Sequence, residues 1–264
     1  NDLGADFDGG GADQGPAHEV AGEVKAAGGE AGYNTDDVSN GRGAENLIAS
    51  TISEFGRIDA VINNAGILRD TVFHKMDEAA WSTVINVNLT GCYNVARAAA
   101  THFREQESGV FVHMTSVSGL IGNFGQANYA AAKMGVTGLS RSIAIDLARY
   151  NVRSNCMSPS GFTRMIGSIP ITSDEQAKEF ERLKEEMRPE MNAPLVVFLA
   201  SDAAKDITGQ IFATSGNHYY LLNQPRPVVS EFRYNWTPEM VADEFLSEIR
   251  DKLTPLETLN DVLD

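Results

Sequence analysis

The chain has 264 residues, 42% of them hydrophobic and 22% charged, with a formal net charge of −15. That is enough for one large α/β domain with a substantial core, and no apolar run approaches the roughly 20 residues of a membrane-spanning helix. A surface this acidic repels phosphate backbones, so nucleic acid and membrane are both discounted as partners. An anionic substrate would need a local basic patch, for which Arg69, Arg164 and Arg188 are the scattered candidates. Two cysteines in apolar surroundings, Cys92 and Cys156, read as buried thiols with neither disulfide framework nor metal-ligand spacing. A reducing cytoplasm is the compartment that fits.

The opening "NDLGADFDGGGADQG" reads as the end of a strand running into a Gly/Asp loop. Pro16 then starts a helix over 16–27, with Val20 and Val24 one turn apart. "GGEAGYNTDDV" reads as a turn and a short strand, and 43–55 as a helix with Leu47, Ile48, Ile52 and Phe55 on one face. A short strand over 60–62 ends in "NNAG", and 77–103 reads as one long helix. "GVFVHMTSVSG" is a buried strand ending in hydroxyls, 128–149 a second long helix, and "NVRSNCMSP" a strand stopped by Pro159. Helices follow at 174–188 and 192–200, then a last strand in "GQIFATSG". After residue 216 the composition turns aromatic and Pro-containing and leads to a final helix over 238–253. The expected division is a domain at 1–216 and a C-terminal extension at 217–264.

Strands alternating with helices predict a doubly wound parallel sheet of Rossmann type, covered on both faces. Ligands in such folds sit beyond the carboxyl ends of the strands. Those ends read "NTDDV", "NNAG", "MTSVSG" and "MSPSGFT", all small and hydrogen-bonding, which favours a bound ligand over a sealed core.

The chemistry concentrates in "SVSGLIGNFGQANYAAAKMG". Tyr129 and Lys133 are four apart and share a helix face. An ammonium beside a phenol stabilises the phenolate, which would bring Tyr129 towards neutral-pH acid/base work. Such a pair alone is common by chance. Ser116, thirteen residues upstream at a strand end, could polarise a carbonyl that Tyr129 protonates, with Gly119, Gly122 and Gly125 letting the chain fold back. Asn88, in mid-helix where Asn has mediocre propensity, is either a packing residue or the anchor of a water that feeds protons to Lys133.

Taken together, "NNAG" at 63–66, "VNL" at 87–89, Ser116, "YAAAK" at 129–133 and Pro159 before a Gly-containing turn resemble the short-chain dehydrogenase/reductase family. Within it, "NDLGADFDGGG", "NNAGILRD", "GNFGQANY" and "NQPRPV" are most similar to the (3R)-hydroxyacyl-CoA dehydrogenases. The resemblance implies hydride transfer between a secondary alcohol and a nicotinamide cofactor. It implies Tyr129 as acid/base, Lys133 as its partner, Ser116 as carbonyl stabiliser and Asn88 as proton-relay anchor. Asp2 would bind the adenosine ribose and repel a 2′-phosphate, favouring NAD over NADP. Asp37 and Val38 would flank the adenine, Asn64, Ala65 and Gly66 would line the ribose, Tyr129 and Lys133 would also touch the cofactor, and Phe162 and Thr163 would meet the carboxamide. An acyl-CoA substrate and a homodimer or homotetramer are further expectations, with no metal. The alternatives are another carbonyl substrate (an acyl-carrier ester, a steroid or a sugar) or a non-catalytic binding protein on the same fold. The family's Gly-rich first strand–helix unit has no counterpart here, so the natural protein is expected to begin roughly 30 to 40 residues earlier, leaving two sheet neighbours unpaired.

Overall fold

The sheet holds β1 (Ala60–Asn63), β2 (Gly109–Met114), β3 (Val152–Ser158), β4 (Ile211–Ser215) and β5 (His218–Leu221), side by side in that order. These come from a computed structural model that describes residues 1–6, 8–161, 173–257 and 259–262. The helices are α1 (Gly15–Ala26), α2 (Gly41–Phe55), α3 (Glu78–Ile85), α4 (Gly91–Gln106), α5 (Val117–Leu120), α6 (Ala127–Leu147), α7 (Asp174–Glu186) and α8 (Ala193–Ala200). β1 to β4 are parallel, as the strand–helix alternation predicts, and β5 returns antiparallel to β4.

All six residues of β2 are buried, which requires cover on both faces. Phe111 packs with Phe103 of α4 and Ile48 of α2, while Val110, Val112 and Met114 pack with Leu195 and Leu199 of α8. The Phe103 and Phe111 ring centroids are 4.8 Å apart. Gly109 makes this possible, because a Cβ there would stand 2.2 Å from the Phe103 ring. Each fully buried phenyl contributes about 1.5–3 kcal/mol. Local signals set the helix ends: Asn40 caps α2 by accepting from Arg42 N at 2.9 Å, and Gly56 ends it in the left-handed region. Asp77 caps α3 by accepting from Ala80 N at 2.7 Å.

The fold departs from the sequence reading in four places. Residues 1–5 and 28–38 form no strand. One backbone bond, Asp2 N to Asn34 O at 3.2 Å, joins them. A parallel strand needs a neighbour along its length, and here a cleft of about 750 Å3 separates these segments from the free edge of β1. The single helix expected over 77–103 runs without a break from Glu78 to Gln106, but a π-helical turn at Asn86–Thr90 divides it into α3 and α4. In α1 the inward residues are Ala17 and Ala21, so Val20 and Val24 are exposed. Finally, the sheet continues past residue 216 into β5, because Gly216 takes a φ of +52° and reverses the chain. The residues beyond form helical turns over 238–252 that bury no side chain.

Candidate active site

The carboxyl ends of β1, β2 and β3 and the first turns of α6 converge. β2 ends at Met114 and is followed by Thr115 and Ser116, the latter capping α5 by accepting from Ser118 N at 3.2 Å. Val117 N donates to Ser158 Oγ at 2.9 Å, fastening this loop to the end of β3. α5 lies tight against α6 because Gly119 has no Cβ; one would stand 2.8 Å from Met134 N. Gly135 gives Leu89 the same closeness at 2.8 Å. Small residues in this run therefore serve the packing that brings Ser116, Tyr129 and Lys133 together.

The Ser116 hydroxyl lies near enough to the Tyr129 phenol to favour its loss of a proton. Lys133 is buried, donates from Nζ to Met114 O at 2.8 Å, and lies 5.5 Å from the Tyr129 ring centroid. Burial pushes its ammonium down to about 8. Two of its three donors remain after the Met114 bond. Tyr129 is raised above the ordinary phenol value, chiefly by burial; the nearby Ser116 hydroxyl pulls it down and the Asp70 carboxylate pushes it up by a smaller amount. This corrects the expected downward pull of Lys133: both groups are desolvated, and the ammonium is turned to Met114 O.

Asn88 sits in the π turn, buried, and clamps one residue at both ends: Oδ1 accepts from Ile67 N and Nδ2 donates to Ile67 O, each at 2.9 Å. A π turn re-aims side chains by one residue, which is how a mid-helix Asn reaches the loop after β1. One N–H and one lone pair of the amide remain for a water. Gly66 lies against it; a Cβ there would be 2.6 Å from Asn88 Oδ1 and 3.5 Å from Lys133 Nζ.

The cleft along β1 is lined by Asp2, Asp37, Val38, Asn64, Ala65 and Gly66, so the structure gathers these six expected residues around one space. Asp2 accepts from Gly4 N at 2.7 Å through Oδ1, and among the described residues its other oxygen has no hydrogen-bond partner. Asp37 is engaged with Ser39, through its N–H at 2.8 Å and its hydroxyl at 2.9 Å. Val38 is buried in the core with Ala44 and Val95. Phe162, Thr163 and Arg164 lie outside the described residues. Arg69 donates to Asp8 O at 2.8 Å and Arg188 pairs with Glu190 at 3.5 Å, so neither supplies the free basic patch. Sequence reasoning missed the polar row beneath: Asn63 of β1 donates to His113 Nδ1 at 3.0 Å, and Cys92 Sγ lies 3.2 Å from the same nitrogen. A histidine inside an otherwise apolar strand was the only signal.

Residues 10–216 match the family model described as enoyl-(acyl carrier protein) reductase. The chain is 45% identical over 206 residues to a short-chain type dehydrogenase/reductase of Mycobacterium tuberculosis, covering 78% of this chain and 69% of that protein. The chain belongs to the short-chain dehydrogenase/reductase family. It is 42% identical over 226 residues to a peroxisomal hydratase-dehydrogenase-epimerase of Neurospora crassa, covering 86% of this chain but 24% of that protein. It thus spans about a quarter of that relative's length. A crystal structure of a short chain dehydrogenase from Mycobacterium avium superposes with a TM-score of 0.81 at 31% identity, covering 97% of this chain and 85% of that one. Members of this family are oxidoreductases that use a nicotinamide cofactor, NAD or NADP.

Proposed function

We propose that this short-chain dehydrogenase/reductase oxidises a (3R)-hydroxyacyl-CoA to the 3-oxoacyl-CoA with NAD. The observation that carries the reading is the placement of Tyr129 between Lys133, 5.5 Å from its ring centroid, and the Ser116 hydroxyl, beside a cleft lined by Asp2, Asn64, Ala65 and Gly66. The residues present suit a dinucleotide: the Asp2 carboxylate lines the cleft, and the buried Lys133 ammonium has donors to spare. Asp2 would take the adenosine ribose hydroxyls and repel a 2′-phosphate; Lys133 would hold the nicotinamide ribose. The bound nicotinamide supplies hydride acceptance.

The chain's own residues do the proton work. Ser116 holds the substrate oxygen. Tyr129 takes the hydroxyl proton during oxidation and returns it during reduction. Lys133 holds positive charge below about 8 and keeps donors for a ribose hydroxyl. Asn88 fixes the loop after β1 and leaves a donor and an acceptor for a water that carries the proton away. The expected boundary at 216 cuts the β4–β5 pair, so the C-terminal extension is proposed to begin after Leu221. Exposed Met134, Ile145 and Leu221 suit contact with further copies, in a homodimer or homotetramer. Among the described residues no helix is long and apolar enough to cross a membrane, and a cytoplasmic location is proposed from the two buried thiols.

A second reading, reduction of an acyl-carrier ester, is favoured by the description of the matching family model. The test is steady-state kinetics on (3R)- and (3S)-hydroxyacyl-CoA, a 3-oxoacyl-carrier ester, a steroid alcohol and a sugar alcohol, with NAD(H) and NADP(H). The highest kcat/KM is expected for the (3R)-ester with NAD, and Asp2→Ala is expected to relax the cofactor preference. Turnover confined to the carrier ester selects the second reading, and equal use of NADP removes Asp2 from the ribose.

A further inference from the structure

The loop after β3 is held by a side chain at the start of α8. Asn192 occupies a position where Asn ordinarily caps its own helix, yet its side chain makes no cap bond there. The amide turns instead to Ser160. Oδ1 accepts from Ser160 N at 3.1 Å, and Nδ2 donates to Ser160 O at 2.7 Å. Nδ2 also donates to Pro189 O at 2.8 Å, and Oδ1 accepts from the buried Thr214 hydroxyl of β4. Both N–H groups and both lone pairs of the amide are thereby used. Asn88 grips Ile67 in the same two-ended way in the loop after β1. β1 and β3 are the two neighbours of β2, so the loop that carries Ser116 runs between two clamped loops. Its own ties are to the end of β3: Thr115 N donates to Met157 O at 2.8 Å, and Val117 N donates to Ser158 Oγ at 2.9 Å. Ser116 is bracketed by these two bonds.

We propose that Asn192 is a positioning residue for Ser116, acting through Ser158. This rests on the reading of Ser116 as the group that holds the substrate oxygen. Met157 is fixed by the sheet, because it pairs in register with Met114 and Phe212. Ser158 is the last residue of β3, and the next residue, Pro159, has no N–H to give. Ser160 is therefore the first residue past the strand with a backbone donor, and Asn192 meets both its N–H and its C=O. Thr214 Oγ1 shares the N–H at 3.2 Å and offers nothing to the C=O. A strand end held on one side only would let the Ser158 hydroxyl shift, and Val117 and Ser116 with it. An amide suits the task because Ser160 presents one donor and one acceptor. A carboxylate would set a second oxygen against Ser160 O and Pro189 O, and an apolar side chain would answer neither group. The consequence falls on kcat, since a misplacement of about 1 Å at the reacting oxygen slows a reaction on the order of 100-fold. The cleft along β1 is separated from β3 by β2, so cofactor affinity is spared.

The test pairs hydrogen exchange of the full chain, read by mass spectrometry without substrate or cofactor, with steady-state kinetics. In Asn192→Leu the peptide holding Val117 is expected to exchange faster than in the unsubstituted protein, as it should in Ser158→Ala, while β2 keeps its protection. kcat is expected to fall about 10- to 100-fold with the KM for NAD nearly unchanged. In a Ser158→Ala background Asn192→Leu should cost little more, because the two act in series. Thermal melting checks that each variant is folded. Asn192→Asp, which keeps the bonds from Ser160 N and Thr214, carries the same test should Asn192→Leu not fold. Unchanged exchange at Val117 overturns the proposal. So does faster exchange with kcat intact, and so do equal losses with and without Ser158→Ala, because the route would then bypass Ser158. An unsubstituted protein that turns over no alcohol refutes the functional reading alone, and the exchange result still decides whether Asn192 holds the Ser116 loop.

Discussion

His113 is the buried titratable side chain with the least to hold. Its Nδ1 accepts from Asn63, and its Nε2 has no partner among the described residues. Burial lowers it from 6.5 to about 4. Between those values the unfolded chain carries a proton that the folded chain refuses, so stability is greatest above 6.5 and is lost as pH falls towards 4. The loss is on the order of 3 kcal/mol. Urea unfolding midpoints measured from pH 7 to 4 should fall for the unsubstituted protein and fall less for His113→Gln; parallel curves would place the acid sensitivity elsewhere. Lys133 has the same sign of consequence in a higher pH window. Lowered from 10.5 to about 8, it is a charge the fold carries at a cost below pH 8, and that cost is relieved as pH rises towards 10.5. Lys133→Met is therefore expected to melt no lower than the unsubstituted protein at pH 7, while kcat drops by about 100-fold or more. A large fall in melting temperature would mean that the Met114 bond outweighs the buried charge.

At the scale of elements, β1 is the exposed margin of the design. It has one hydrogen-bonded neighbour, while β2 and β3 have two each. Its sequence, AVIN, carries neither the charge nor the proline that commonly blunts an edge. Hydrogen exchange read by mass spectrometry should show the β1 amides exchanging faster than those of β2 and β3; equal protection would mean that β1 is paired on both sides in solution. Elements with one clean signal were legible in the sequence. α2 shows its apolar spacing and its Asn40 and Gly56 ends, β2 is a short apolar run ending in hydroxyls, and β3 is stopped by Pro159. The π turn was not legible, because its cause is not local. Asn88 is drawn to the backbone of Ile67, 21 positions away, and nothing in "INVNLTG" states that distance. α1 misled for a simpler reason: Ala17–Ala21 and Val20–Val24 are both one-turn pairs, and periodicity alone does not choose which faces inward.

For the whole molecule, the site was legible as a set of residue types at fixed spacings. Ser116 and Lys133 are both placed near Tyr129, and Asp2, Asn64, Ala65 and Gly66 line one cleft. What spacing did not give was electrostatics. The phenol is raised rather than lowered, because burial outweighs the Ser116 hydroxyl and the Asp70 carboxylate adds a smaller push upward. Nor did spacing give the return strand β5, which depends on a left-handed Gly216. The central claim is that this arrangement moves a hydride from a secondary alcohol to NAD, with Tyr129 removing the proton. The most direct measurement incubates the protein with NAD and a (3R)-hydroxyacyl-CoA carrying deuterium on C3, and reads the mass of the reduced cofactor. The expected result is a gain of one deuterium in the cofactor with the unsubstituted protein, and a rate at least ~100-fold lower with Tyr129→Phe. Deuterium transfer at full rate by Tyr129→Phe, or none from the unsubstituted protein, would contradict it.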